Sequence, residues 1–122
     1  EGRLDIRATH NVVSIDPPGC VDIDDACSLR EVGDCYEVGI HIADVSHYIP
    51  FDSPLDRFAR DRSTSVKSCW RVLPVSPRHR YLVDRRIDML PPVLSTNICS
   101  LRCDYDRLAC SVFLSFDKSR LE

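Results

Sequence analysis

Apolar and polar positions alternate most cleanly over residues 36–42, where Tyr36, Val38, Ile40 and Ile42 interleave with Glu37, Gly39 and His41. A period of two marks a β-strand, and here it gives one apolar face. Residues 26–30 read as a second strand, joined to the first through Gly33-Asp34, a hairpin signal. Val12, Val13 and Ile15 predict a short buried strand that ends at Asp16, where Pro17-Pro18-Gly19 forces a turn. The pattern then changes to helical spacing. Ser53 suits an N-cap and Pro54 the first helical position, with Leu55, Phe58 and Ala59 on one face and Asp56 in the first turn, so a helix is expected to end near residues 61–63. Pro91-Pro92 breaks regular structure, residues 95–101 suit a short helix or turn, and Leu108, Cys110, Val112, Leu114 and Phe116 alternate as a final strand. The expected fold class is α+β, with a mostly antiparallel or mixed sheet and a few helices.

Composition narrows the class. The 122 residues, 43% of them hydrophobic, suit one domain with a soluble core. No tract has the apolar length of a membrane span, and the charged start is unlike a signal peptide, so an intracellular location, nuclear or cytoplasmic, is expected. The seven cysteines are odd in number and irregular in spacing, which favours free thiols over a disulfide framework. Zinc is disfavoured because no CxxC pair occurs. The net charge of −3 hides an asymmetry: residues 1–62 carry 13 acidic and 6 basic side chains, and residues 63–122 carry 6 and 10. An acidic loop beside a more basic half is compatible with a polyanionic substrate.

The densest chemistry lies in Asp16-Pro17-Pro18-Gly19-Cys20-Val21-Asp22-Ile23-Asp24-Asp25, with four aspartates in ten residues. Carboxylates this close repel unless a cation neutralises them, water separates them or one is protonated. Two readings stay open on composition alone: a solvated polar turn, because Asp, Pro and Gly favour turns, and a site for a hard divalent cation such as Mg²⁺, which takes a few carboxylates, waters and substrate phosphates. A calcium-binding EF-hand is excluded. Counted from Asp22, the sixth position is Cys27 instead of glycine and the twelfth is Gly33 instead of glutamate. Asp22 and Asp24 share a side if this stretch is extended, with Asp25 turned the other way or placed by a bulge. His41 shares its face with Glu37, and Asp44 and His47 follow the strand; these histidines read as hydrogen-bonded structural residues or as metal ligands.

Several ordered motifs together carry a family resemblance. Arg3-Leu4-Asp5-Ile6-Arg7, the run from Ser14 to Ala26, the run from Val38 to His47, and Cys99-Ser100-Leu101 resemble the start of the catalytic domain (RNB) of the ribonuclease II family. Pro17-Pro18-Gly19-Cys20, Arg86-Ile87-Asp88-Met89 and Asp106-Arg107-Leu108-Ala109 are most similar to the eukaryotic branch that includes the catalytic exosome nuclease. The resemblance implies a Mg²⁺-dependent hydrolytic 3′-to-5′ exoribonuclease that degrades single-stranded RNA to nucleoside 5′-monophosphates, with Mn²⁺ as a substitute metal and the RNA exosome core as a partner. It also implies that Asp16, Asp22, Asp24 and Asp25 are the metal-binding active-site aspartates, with Asp24 most specific to cleavage and Asp16 and Asp25 the leading ligands. A non-catalytic RNA-binding or scaffold protein that keeps the nuclease fold is the competing expectation.

The resemblance breaks at one place. The family's stacking tyrosine follows a Thr-x-x pattern, and here Thr64-Ser65-Val66 is separated from Tyr81 by residues 67–80. That segment reads as an insertion loop or as a basic, Trp-bearing RNA contact, and it interrupts the substrate-stacking role implied for Tyr81. The family's later arginine and second stacking aromatic have no counterpart in this chain. The resemblance therefore covers an N-terminal part of a catalytic domain, and little or no activity is expected of that part alone.

Overall fold

A computed structural model describes residues 2–62 and 88–120. Tyr81 and residues 67–80 lie outside them. The described residues build one antiparallel sheet in the order β1-β2-β3-β4, from β1 (Val12–Val13), β2 (Asp25–Val32), β3 (Cys35–Ala43) and β4 (Ala109–Asp117). Helix α1 (Pro54–Arg62) and a short π-helical turn (Leu94–Ile98) lie in the connection between β3 and β4.

Local sequence accounts for these elements. β2 and β3 pair from Asp25↔Ile42 to Val32↔Cys35, leaving Gly33-Asp34 as a two-residue turn. Gly33 has φ +57, the left-handed value that glycine accepts without a Cβ clash and that tight hairpins demand at this place. At α1 the Ser53 hydroxyl accepts the Asp56 amide at 3.2 Å, satisfying one of the donors that a helix start leaves open. Asp56 in turn accepts the Asp52 amide at 2.8 Å, while Ala59 is buried. The helix, the hairpin and β4 therefore follow the sequence pattern, with α1 described to Arg62.

The buried face of the sheet is the one with small and polar side chains. Gly39, His41 and Ala43 of β3 are buried together with Ala26 and Ser28 of β2, whereas Ile40 and Ile42 are 42% and 48% exposed. Val12, Val13 and Ile15 are exposed as well, so the short buried strand expected there is a two-residue edge strand on the surface. The reason lies in long-range contacts. Segments from both ends of the described chain come over the His41 face: the His10 ring lies 5.4 Å from Phe113, Leu101 donates its amide to the Ile23 carbonyl, and Asp44 donates its amide to the Leu108 carbonyl. An open groove of about 890 Å³ remains between the start of the chain, residues 101–109 and this face, and none of the four aspartates lines it.

His41 anchors the covered face. It is 1% exposed, with Nδ1 2.8 Å from the Ser111 hydroxyl and Nε2 2.9 Å from the Ser28 hydroxyl. Its ring fits because Gly39 has no side chain; a Cβ there would lie 2.5 Å from Ser28 Oγ and 2.8 Å from His41 Nε2. Of the two readings open for this histidine, the structure supports the hydrogen-bonded structural one.

Two predictions follow from this packing. Gly39→Ala displaces the His41 ring and should destabilise the protein by about 1–3 kcal/mol in urea unfolding, against near-neutrality if the ring can move aside. Burial, with His10 nearby, lowers the His41 pKa below 6.5, so the unfolded chain takes up a proton that the folded chain resists. Stability should thus be complete at pH 7.5 and decline as pH falls through the region below 6.5, and His41→Asn should flatten that slope.

Candidate metal and phosphate site

The acidic segment begins three residues past β1. Asp16 is exposed, and the chain then turns tightly, with the Cys20 amide donating to the Pro17 carbonyl at 3.1 Å and Gly19 at φ +83. Cys20 turns back on Asp22, its Sγ 3.6 Å from Asp22 Oδ1. Burial pushes the Cys20 thiol up, and the Asp22 and Asp16 charges add to that shift. These two carboxylates therefore act on one sulfur.

Residues 21–24 are fixed by backbone bonds. The Ser100 hydroxyl accepts the Ile23 amide at 3.0 Å and donates to the Val21 carbonyl at 2.9 Å. The Ile23 carbonyl accepts from Leu101 at 2.8 Å, and the Asp24 carbonyl accepts from Ala43 at 2.9 Å. Asp25 opens the ladder opposite Ile42, so strand alternation alone puts it on the same face as Cys27 and Ile40, and no bulge is needed. Asp24 acts elsewhere: burial raises the Cys99 thiol pKa, with Arg107 opposing and the charges of Asp24 and Asp44 reinforcing the rise.

The four aspartates thus sit on one clamped segment but do not form a closed cage. Among the described residues, no three His, Cys, Asp or Glu side chains come together closely enough to hold an ion. The donor chemistry nevertheless fits Mg²⁺. All four candidate ligands are hard carboxylate oxygens, and this ion keeps several waters and shares substrate phosphates, so it does not demand a complete protein cage. Among the described residues, no Lys or Arg neutralises Asp16 or Asp25.

Beside this segment lies a polar cluster whose composition sequence reading missed. Asp44, 6% exposed, accepts the Ser46 hydroxyl at 2.7 Å, Arg3 Nη2 at 2.7 Å and the His47 amide at 3.1 Å. His47 Nδ1 is 3.3 Å from the same guanidinium nitrogen. The partnership of Arg3 with Asp44 joins residues 41 apart and had no local signal; the Ser46 contact is an ordinary Asp-x-Ser turn that could have been read. Ser100 was visible only as part of a motif without an assigned role.

Comparison with known proteins places these features in a family. The RNB domain profile matches residues 3–122. The chain is 48% identical over 101 residues to the Homo sapiens exosome complex exonuclease RRP44, an alignment covering 82% of this chain and 9% of that protein. The fold is similar to Mycoplasma genitalium RNase R in complex with double-stranded RNA, with TM-score 0.70 and 26% identity, covering 88% of this chain and 17% of that one. It is also similar to yeast Ssd1, described as a pseudonuclease, with TM-score 0.68 and 26% identity, covering 90% and 12%. The chain therefore spans a small part of each of these proteins.

The Asp44 cluster makes its own prediction. The Ser46 hydroxyl and then Arg3 hold the Asp44 carboxyl at about 2, below its ordinary 3.8. Its stabilising contribution is complete above 3.8 and is lost as pH falls towards 2. Ser46→Ala should move the Asp44 pKa upward in a carbon-detected NMR titration; an unchanged value would remove Ser46 from this role.

Proposed function

The chain belongs to the RNB domain family, and on that premise we propose that it forms part of a hydrolytic 3′-to-5′ exoribonuclease that degrades single-stranded RNA to nucleoside 5′-monophosphates. The observation that carries this reading is the acidic segment 16–25: all four carboxylates implied for the family's site are present, and the backbone around Asp22 and Asp24 is held by Ser100, Leu101 and Ala43. Asp16, Asp22, Asp24 and Asp25 would hold Mg²⁺, or Mn²⁺ in its place. When bound, the metal supplies Lewis acidity for water attack on the scissile phosphate and for departure of the 3′ oxygen.

The chain's own part is to place oxygen donors at fixed positions. Asp24 is the residue tied most directly to cleavage, with Asp16 and Asp25 the principal metal ligands and Asp22 completing the set. The ring of Tyr81, outside the described residues, would stack on a base near the RNA 3′ end; stacking tolerates any base, as digestion of mixed sequence requires. Activity belongs to a longer polypeptide, because the matched relatives are many times the length of this chain. The segment alone is expected to have little or no activity. The RNA exosome core is the proposed assembly partner, in keeping with the name of the human relative, and the proposed location is intracellular, in nucleus or cytoplasm. Among the described residues, no helix is long and apolar enough to cross a membrane.

A non-catalytic RNA-binding or scaffold role is the second reading, supported by the likeness to the pseudonuclease Ssd1. The two separate cleanly. In the full-length protein, Asp24→Asn should keep single-stranded RNA binding near the unmodified level while lowering Mg²⁺-dependent mononucleotide release at least about 100-fold. An unmodified protein that binds RNA yet releases no mononucleotide with Mg²⁺ or Mn²⁺ would decide for the scaffold.

A further inference from the structure

Ser100 has no solvent exposure, and its hydroxyl spends both of its functions on one segment. It accepts the Ile23 amide at 3.0 Å and donates to the Val21 carbonyl at 2.9 Å, bridging 77 and 79 residues of sequence. Asp22 lies between those two residues and Asp24 directly follows them. The next residue, Leu101, donates its amide to the Ile23 carbonyl at 2.8 Å, so three backbone atoms of residues 21–23 are held from one dipeptide. The far side of that dipeptide is braced in turn: Arg107 Nε donates to the Ser100 carbonyl at 3.0 Å, and its Nη2 to Asn97 Oδ1 at 3.1 Å.

The chemistry of this bridge is demanding. Residues 21–24 precede the first ladder pair of β2, so their backbone groups lack a strand partner along most of this stretch. A hydroxyl is the smallest side-chain group that offers a donor and an acceptor at once. Alanine would take this partner from both the Ile23 amide and the Val21 carbonyl. The charges raise the requirement further, because closely spaced carboxylates drive a loose segment apart. A backbone fixed at Val21 and Ile23 on one side, and at Asp24 by Ala43 on the other, removes that freedom.

We propose that Ser100 is a positioning residue that fixes Asp22 and Asp24 for divalent-cation binding, with Arg107 supporting it through the Ser100 carbonyl. The inference rests on the metal-site reading of the acidic segment given above. It assigns Ser100 no contact with RNA, so its loss should act through the cation alone. Outer groups that orient metal ligands change metal affinity by about 10-fold or more when removed.

The test uses the full-length protein and Mn²⁺ as the probe, with free Mn²⁺ read by electron paramagnetic resonance in the absence of RNA. Ser100→Ala should weaken Mn²⁺ binding about 10-fold and raise the Mg²⁺ concentration for half-maximal mononucleotide release by a similar factor. The KM for single-stranded RNA at saturating Mg²⁺ should stay unchanged. Ser100→Thr, which keeps the hydroxyl, should restore most of the Mn²⁺ affinity. Thr96→Ala, which removes a hydroxyl bonded to the Pro92 carbonyl within its own turn, should leave both readouts alone. If Ser100→Ala does not fold, Arg107→Lys carries the test, with a smaller loss in the same direction. Mn²⁺ affinity and Mg²⁺ dependence equal to wild type in the folded variant would overturn the proposal, as would a wild-type protein that binds no Mn²⁺. A wild-type protein whose Mn²⁺ binding depends on Ser100 but which releases no mononucleotide would sink the nuclease reading and leave the positioning role standing.

Discussion

A single imidazole links three of the four described strands. His41 belongs to β3, and its two ring nitrogens reach Ser28 on β2 and Ser111 on β4. Backbone ladders already join these strands, but ladders leave the faces of a sheet free to be covered or exposed. The His41 brace selects the face. It requires a glycine beside it and small neighbours around it, and the resulting shallow surface admits backbone from both ends of the described chain. Residues 100 and 101, which hold the acidic segment, arrive on that side of the sheet.

The acidic segment is a second consequence of this packing. Four carboxylates in ten residues favour an expanded loop on electrostatic grounds, and no disulfide joins the cysteines among the described residues. The backbone there is held by the Ser100 hydroxyl and the amides of Leu101 and Ala43. Two arginines near the start of the chain pair with other acids. Arg3 serves Asp44, and Arg7 bridges Asp5 and Asp106. The backbone of the segment is thus restrained from outside the acidic run, which suits the oxygen-donor site proposed for it.

Local pattern made much of the fold legible. The Gly33-Asp34 hairpin, the Ser53 cap with Pro54, and the alternation through β4 each depend on contacts within a few residues, and each is found where the sequence puts it. The covered face of β3 was not legible. Alternation separates Ile40 and Ile42 from Gly39 and His41, but it does not say which set is covered when the covering segments come from residues 3–10 and 100–109. The same limit applied to the candidate site. Four aspartates can be counted in the sequence, and the motif order around them identified the family, while the hydroxyl that fixes their backbone lies 77 residues from its partner. Asp25 falls between these cases: alternation allowed it to turn away from Asp24, and the regular ladder beginning at Asp25 excludes the bulge.

The placement of Cys20 has a consequence for the chemical durability of the segment. A thiol becomes vulnerable to peroxide, alkylation and disulfide exchange through its thiolate, and the field of Asp22 and Asp16, added to burial, suppresses that form. Cys20 is therefore biased towards its protonated form in a stretch where a thiolate would offer a metal a soft ligand. The carboxylates proposed to hold a hard cation are also the charges that act on the one sulfur among them.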